Sequence, residues 1–328
     1  MMNDRFIMHR FHPGCIVQCL IVNRRQFLSS AIAACAAARV ERFSAAAEKQ
    51  DGLLPTVRWG RHQITRLLVG HNPIKGVSHF SDQLSTEMRL WFADDAEHGQ
   101  QLLHRCEQVG INTCQLGFRA SERVLIEQML QTHYRNGGQL HWIASFYASP
   151  SDRDAAKDEL DRILQMRPRP IGVQQVGNTT DALLKNGKME QSLENLKRFR
   201  DAGLLAGLGS HNHEAIDYAE SKGWDLDFYQ CSFYRSWFSP RPTGRELFEE
   251  DDRQAMAKTI RQVRRPCIAF KVLGANRHCQ SARTIEQALR FALKSIKPSD
   301  VILVGMWQKH QDQVAENAAL VRGILSSG

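Results

Sequence analysis

No CxxC pair occurs in this 328-residue chain, and no apolar run reaches the roughly 20 residues that a membrane-spanning helix requires. Five of the eight cysteines follow residue 47: Cys106, Cys114, Cys231, Cys267 and Cys279. An odd number without paired spacing is not a disulfide framework. Cys114, Cys231 and Cys267 fall in apolar runs, where a reduced thiol acts as a small hydrophobe. Basic tracts interleaved with aromatics are missing too. The formal charge is +8, of which six arginines and two acids in residues 1–47 account for +4, leaving a mild +4 for the rest. Nucleic acid is therefore not an expected partner. The paired carboxylates of a glycoside hydrolase are not visible at the ends of the apolar runs. No Gly-rich phosphate loop follows the first of those runs.

What is present begins near the N-terminus. Residues 23–28 read Asn-Arg-Arg-Gln-Phe-Leu, with Arg24 and Arg25 ahead of an Ala-rich, weakly apolar stretch that ends near Ala38. The pattern resembles a twin-arginine export signal. It implies recognition by the twin-arginine translocase, folding before export, and a mature protein that works in the periplasm or outside the cell. Folding in a reducing compartment also suits the unpaired cysteines. Ala45-Ala46-Ala47 before Glu48 offers a small-residue cleavage site, so residues 1–47 are set aside as signal and 48–328 as the folded part. Ile32-Ala33-Ala34-Cys35 offers a different processing, a lipobox whose cleavage leaves a lipid anchor on Cys35.

From residue 64 onward, short apolar runs at 64–70, 113–116, 140–145, 171–175, 205–209, 228–232, 267–272 and 301–304 read as strands. Amphipathic stretches between and after them, at 96–109, 121–134, 155–165, 193–202, 214–221, 252–263, 285–295 and 311–325, read as helices. Asp152 precedes one helix as an N-cap, and Thr284 with Gln287 has capping-box spacing. Gly110, Gly203 and Gly223 stand where helices end. Eight alternations predict an α/β fold, a single-domain (β/α)8 TIM barrel. The competing arrangement, an open doubly wound sheet, lacks its phosphate loop. Residues 51–63 read as a hairpin or strand closing the barrel floor. Two connections, 71–95 and 233–251, are long, and both leave the strand ends where barrel enzymes work.

In a barrel the residues just beyond each strand converge on one mouth. Here they are His71, Asn72 and His79; Gln115; Ser145 and Tyr147; Gln174, Gln175 and Asn178; Ser210, His211 and His213; Gln230, Tyr234 and Arg235; Lys271, Asn276 and Arg277; Trp307 and Gln308. The set is rich in imidazole, amide and cation and poor in carboxylate, which suits hydroxyls or an anion. Lys271 lies inside Ile268-Ala-Phe-Lys-Val-Leu-Gly, an odd place for a solvent-facing lysine. A lysine there can form a Schiff base, move a proton or clamp an anion. His71, His211 and Tyr234 are the other candidate catalytic groups. Asn72, His79, Gln115, Gln175, Asn178 and Arg277 are candidate substrate contacts. No acid or cysteine completes a metal-binding spacing around His211 and His213, so no metal is expected.

Several segments resemble the aldo/keto reductase superfamily. Gly110-Ile-Asn-Thr looks like its second-strand entry, Gly207-Leu-Gly-Ser-His its fifth strand and Phe228-Tyr-Gln-Cys its sixth. Ala288-Leu-Arg-Phe-Ala-Leu, Val301-Ile-Leu-Val-Gly and Gln313-Val-Ala-Glu-Asn look like its tail. The resemblance implies NAD(P) as cofactor. It places Ser210, His211 and Gln230 at the nicotinamide, and Glu316 and Asn317 at the adenine. The family's Asp, Tyr, Lys and His at or after the second, third and fourth strands have no counterparts in sequence. The second strand ends in Gln115-Leu-Gly-Phe, the third in Ser145-Phe and the fourth in Gln175-Val-Gly-Asn. Three readings therefore stand side by side: an NAD(P)-linked oxidoreductase on a small polar carbonyl or sugar with a non-standard site, a non-redox isomerase or lyase on a carbohydrate-like substrate, and a binding protein on an enzyme's barrel.

Overall fold

The computed structural model describes residues 52–94, 96–117, 123–235 and 247–327. Eight parallel strands close a barrel in the order β10, β3, β4, β5, β6, β7, β8, β9. They are β3 (Leu67–Gly70), β4 (Thr113–Gly117), β5 (His141–Phe146), β6 (Gly172–Gln175), β7 (Leu205–Ser210), β8 (Phe228–Ser232), β9 (Cys267–Phe270) and β10 (Val301–Gly305). An antiparallel hairpin, β1 (Thr56–Trp59) and β2 (His62–Thr65), turns at Gly60-Arg61 and precedes the barrel. It is the floor element expected from residues 51–63. Its Trp59 lies tilted against Phe228 at 5.2 Å within the cluster that fills the barrel interior with Ile64, Leu68, Ile143, Ile268 and Val301.

The strands obey the two-residue period strictly. On β5, Trp142, Ala144 and Phe146 face the helices, while Ile143 and Ser145 face the interior. On β4, Cys114 and Leu116 face outward and Gln115 inward. The same parity on β6 and β7 sends Gln175 and Ser210 out of the barrel, and Gln174 and His211 into it.

Ten α-helices are seen among the described residues, two more than the sequence pattern predicts. They are α1 (Asp82–Asp94), α2 (Ala96–Gln108), α3 (Arg123–Arg135), α4 (Arg153–Gln165), α5 (Gly177–Lys185), α6 (Ser192–Asp201), α7 (His213–Ser221), α8 (Glu250–Gln262), α9 (Ala282–Ser295) and α10 (Gln313–Ser326). The additional two are α1 and α5. The first occupies part of the expected 71–95 loop, and the second follows β6 after a single residue. Helix ends largely match expectation. Asp152 accepts the Ala155 N–H at 3.0 Å, and Gly110, Gly203 and Gly223 have φ of 85°, 73° and 63°. The capping box of α9 sits one turn earlier than expected, formed by Ser281 and Thr284, because the helix starts at Ala282. Cys106, Cys114, Cys231 and Cys267 are buried free thiols. Burial pushes the Cys106, Cys114 and Cys231 thiols up, so they stay protonated. The expected export signal, including Cys35, lies outside the described residues. No described helix is long and apolar enough to cross a membrane.

Candidate functional site

A cavity of about 570 Å³ opens at the C-terminal ends of the strands. It runs from His71 beyond β3 to Glu316 and Asn317 near the start of α10. Among the described residues, four non-glycine residues have a left-handed backbone: His79, Lys271, Ala275 and Asn276, with φ of 54°, 58°, 48° and 76°. All four line this cavity. Such backbone strain persists only where surrounding structure over-determines it, and it gathers at functional sites.

The sharpest chemistry is a chain of three groups. The ammonium of Lys75 donates to the Tyr147 hydroxyl oxygen at 3.2 Å, and that hydroxyl lies 3.3 Å from His71 Nε2. His71 Nδ1 is 3.1 Å from the backbone carbonyl of Gln115. A carbonyl only accepts, so Nδ1 carries the proton and Nε2 is left to accept the tyrosine's. Each group comes from a separate local device. Lys75 sits in a tight turn closed by Lys75 N–H to His71 and Val77 N–H to Asn72, at 3.1 and 2.9 Å. Tyr147 is fixed at its backbone: Glu159 of α4, itself buried, accepts the N–H groups of Tyr147 and Ala148 at 2.9 and 2.7 Å. The ring then reaches across the end of β4, where Gly117 leaves room. A Cβ at 117 would stand 2.3 Å from the Tyr147 oxygen.

A second group lies further round the wall. Asp181 on α5 is buried and its Oδ2 is 2.8 Å from His211 Nδ1. Ser210 donates to its Oδ1 at 2.6 Å, and the His211 backbone N–H points at the same carboxylate at 3.2 Å. Between the two groups, Gln115 and Gln230 hydrogen-bond reciprocally across the interior. Gln174 donates to Ser145 at 3.2 Å, and its buried carbonyl oxygen has no partner.

Of the candidate site residues, His71, Asn72, His79, Gln115, Asn178, His211, Gln230, Lys271, Glu316 and Asn317 line the cavity. Four do not. Gln175 faces the helix layer and bonds Thr180, Ser192 and Asn195 at 2.9 Å each, because the strand period turns it away. Ser210 faces outward for the same reason and holds Asp181 instead of a cofactor. Tyr234 is buried against Phe248, with its hydroxyl 2.9 Å from His278, and burial pushes its phenol up. Arg277 stacks on Phe248 at 3.7 Å and donates to the His79 carbonyl at 3.2 Å, so it ties two loops together. Lys271 has its ammonium 5.5 Å from the centre of the Phe248 ring. Lys75 and Asp181 are not among the candidates, and Gln174 and Tyr147 are named only as strand-end residues. Lys75 and Asp181 lie away from the strand ends, on a loop and a helix, where strand-end reading has no signal. Among the described residues no three His, Cys, Asp or Glu side chains gather as a metal site.

No family model matches the sequence, and no curated protein matches it. Solved structures match in fold. A glycerol dehydrogenase from Gluconobacter oxydans covers 83% of this chain and 95% of its own, with a TM-score of 0.53 at 13% identity. The holo form of an aldo-keto reductase from Bacillus halodurans covers 84% and 96%, with a TM-score of 0.52 at 10% identity. A complex of Gox0644 with NADPH covers 81% and 88%, with a TM-score of 0.54 at 8% identity. The fold is thus that of aldo-keto reductases. At such identities fold alone is established, and function rests on the site.

Proposed function

We propose that the chain is a nicotinamide-dependent reductase of small polar carbonyl compounds, with Tyr147 as the proton donor. The observation that carries this reading is the Tyr147 hydroxyl held between the Lys75 ammonium and the His71 imidazole inside the cavity. Carbonyl reduction needs a proton at the oxygen that becomes an alkoxide. Tyr147 supplies it. Lys75 stabilises the phenolate left behind, and His71 Nε2, a lone pair in the tautomer fixed by the Gln115 carbonyl, takes a proton from solvent and passes it to the same oxygen. By sequence resemblance, the Asp, Tyr, Lys and His of aldo/keto reductases have no counterparts at or after the second, third and fourth barrel strands. A tyrosine from the third barrel strand with a lysine and histidine from beyond the first performs the same work.

The residues present fit a dinucleotide. The cavity is continuous from the Gln115–Gln230 pair to Glu316 and Asn317, and the partnerless Gln174 oxygen would accept an amide N–H. Gln230 and Gln174 would hold the nicotinamide end, and Glu316 and Asn317 the adenine end. When bound, a reduced nicotinamide supplies the hydride. One of the fold relatives was solved as an NADPH complex, which supports this assignment.

The test is titration of the purified protein with NADPH and NADH by nicotinamide fluorescence, then a screen of carbonyl compounds. Tyr147→Phe is expected to bind nucleotide as the parent does and to lose about 100-fold or more in turnover. Absence of binding by both nucleotides, or full turnover by Tyr147→Phe, would overturn the reading. We further propose that Arg24 and Arg25 direct export of the folded protein by the twin-arginine route.

A further inference from the structure

We propose a second activity of the same cavity that needs no nucleotide: proton exchange at the carbon next to a carbonyl group, with His211 as the base. It rests on the reading of Tyr147 as proton donor. Asp181 is only an acceptor, so His211 Nδ1, 2.8 Å away, carries the ring proton and Nε2 keeps its lone pair. The carboxylate is 2% exposed at its side chain and is held by two further donors, the Ser210 hydroxyl and the His211 N–H. The ring is gripped as well. A Cβ on Gly177 would lie 2.7 Å from its Nδ1 and 2.8 Å from its Cε1, and Phe270 meets it edge-on at 5.4 Å. A base oriented by a buried carboxylate, beside a cavity that also holds a proton donor, is a general-base arrangement. Simple reduction of a carbonyl uses only the donor, which leaves this pair without work.

Tyr147 and His211 stand at the ends of β5 and β7, second neighbours in the barrel wall and therefore about 10 Å apart at the backbone. The Tyr147 ring turns toward β4 and β3, where its hydroxyl meets His71, and His211 lines the same cavity from β7, so the substrate would lie between them with its carbonyl oxygen at Tyr147 and the neighbouring carbon at His211. In the step, His211 Nε2 takes the proton from that carbon. The C–H electron pair becomes the enol double bond, the carbonyl π electrons move to oxygen, and the oxygen takes the Tyr147 proton. Reversal returns a solvent-derived proton from His211 to the carbon. Where the neighbouring carbon bears a hydroxyl, the intermediate is an enediol. Protonation at the former carbonyl carbon by His211, with return of the second hydroxyl's proton to the Tyr147 oxygen, then interconverts aldehyde and ketone. No oxidant or reductant is consumed. The substrate class is the α-hydroxy aldehyde or ketone.

The experiment follows loss of the C–H signals of dihydroxyacetone, of glycolaldehyde and of the best carbonyl from the reduction screen, by proton NMR in D2O, with full-length protein and no nucleotide. Enzyme-dependent exchange is expected, falling about 100-fold or more in His211→Ala and Asp181→Asn with melting temperature retained. His211→Asn, closer in size, replaces the alanine variant if that one does not fold. Asp181 acts as a positioning residue, so a nitrogen-15 histidine spectrum is its second readout. His211 is expected to show a protonated Nδ1 in the parent and a mixture of tautomers in Asp181→Asn. No exchange above the protein-free blank for any of the three compounds would overturn the proposal, as would exchange undiminished in the folded His211 variants. If nucleotide-dependent reduction occurs without exchange, the reductase reading survives alone. If exchange occurs without nucleotide binding, the reverse holds.

Discussion

A single hydrogen atom at position 117 decides where the Tyr147 hydroxyl rests. Gly117 has no left-handed backbone, so alanine there introduces no backbone strain; only the space is lost. Its methyl group would stand 2.3 Å from the phenol oxygen, and Tyr147 would have to move away from Lys75 and His71. Gly117→Ala is therefore expected to lower reduction by about 100-fold with little change in stability, since a misplacement of order 1 Å has effects of that size. Turnover and urea denaturation of the same preparation check it. Unchanged turnover would mean that Tyr147 is not the donor or does not need this position. At this scale the sequence is legible only up to the strand period. Gln174 and Gln175 are chemically identical neighbours, and only the register separates an interior amide from one that ties helices together. The reach of Tyr147 over Gly117 has no signature in either segment alone.

At the scale of elements, residues 51–63 read as a hairpin or a strand, and Ile64 and Thr65, read as the start of the first barrel strand, belong to β2 instead, whereas α1 and α5 had no reading in the sequence. Gly177-Asn-Thr-Thr opens α5 with residues of poor helix propensity, and the helix owes its place to the packing of Leu183 and the buried Thr180 and Asp181. The hairpin also carries a pH response. His62 meets His141 edge-on at 5.3 Å beside the barrel. Burial, then His141 and Arg61, hold the His62 imidazole below its usual value, and burial does the same to His141. A depressed histidine adds stability that is fully present above the unfolded value of 6.5 and is lost as pH falls through the lower folded value. The parent is expected to lose stability below pH 6.5 more steeply than a His62→Asn, His141→Asn double variant. Urea midpoints taken from neutral pH downward measure this. Parallel curves would show that these two rings do not set the slope.

For the whole molecule, the export proposed from Arg24 and Arg25 requires a fold that forms before transport. A closed barrel with buried, protonated thiols and no disulfide among its described cysteines is complete without an oxidising compartment. That is consistent with the proposed export of a chain that folds first. Replacing both Arg24 and Arg25 with lysine is expected to retain the full-length protein in the cytoplasm, as read by cell fractionation, without loss of its fold. Export of the lysine variant at the parent's level would show that the arginine pair does not direct transport.

By itself the sequence determined the architecture, because short apolar runs alternating with amphipathic helices can bury their apolar faces together in few ways, and eight such units close a barrel. It also determined most of the mouth, since parallel strands deliver their last residues to one end. What only the tertiary structure decided is which of those residues work together. Lys75 with Tyr147 and His71, and Asp181 with His211, are pairings between different βα units. They are fixed by strand register, by the turn after β3 and by the helix after β6. These are through-space distances that no local pattern of residues encodes.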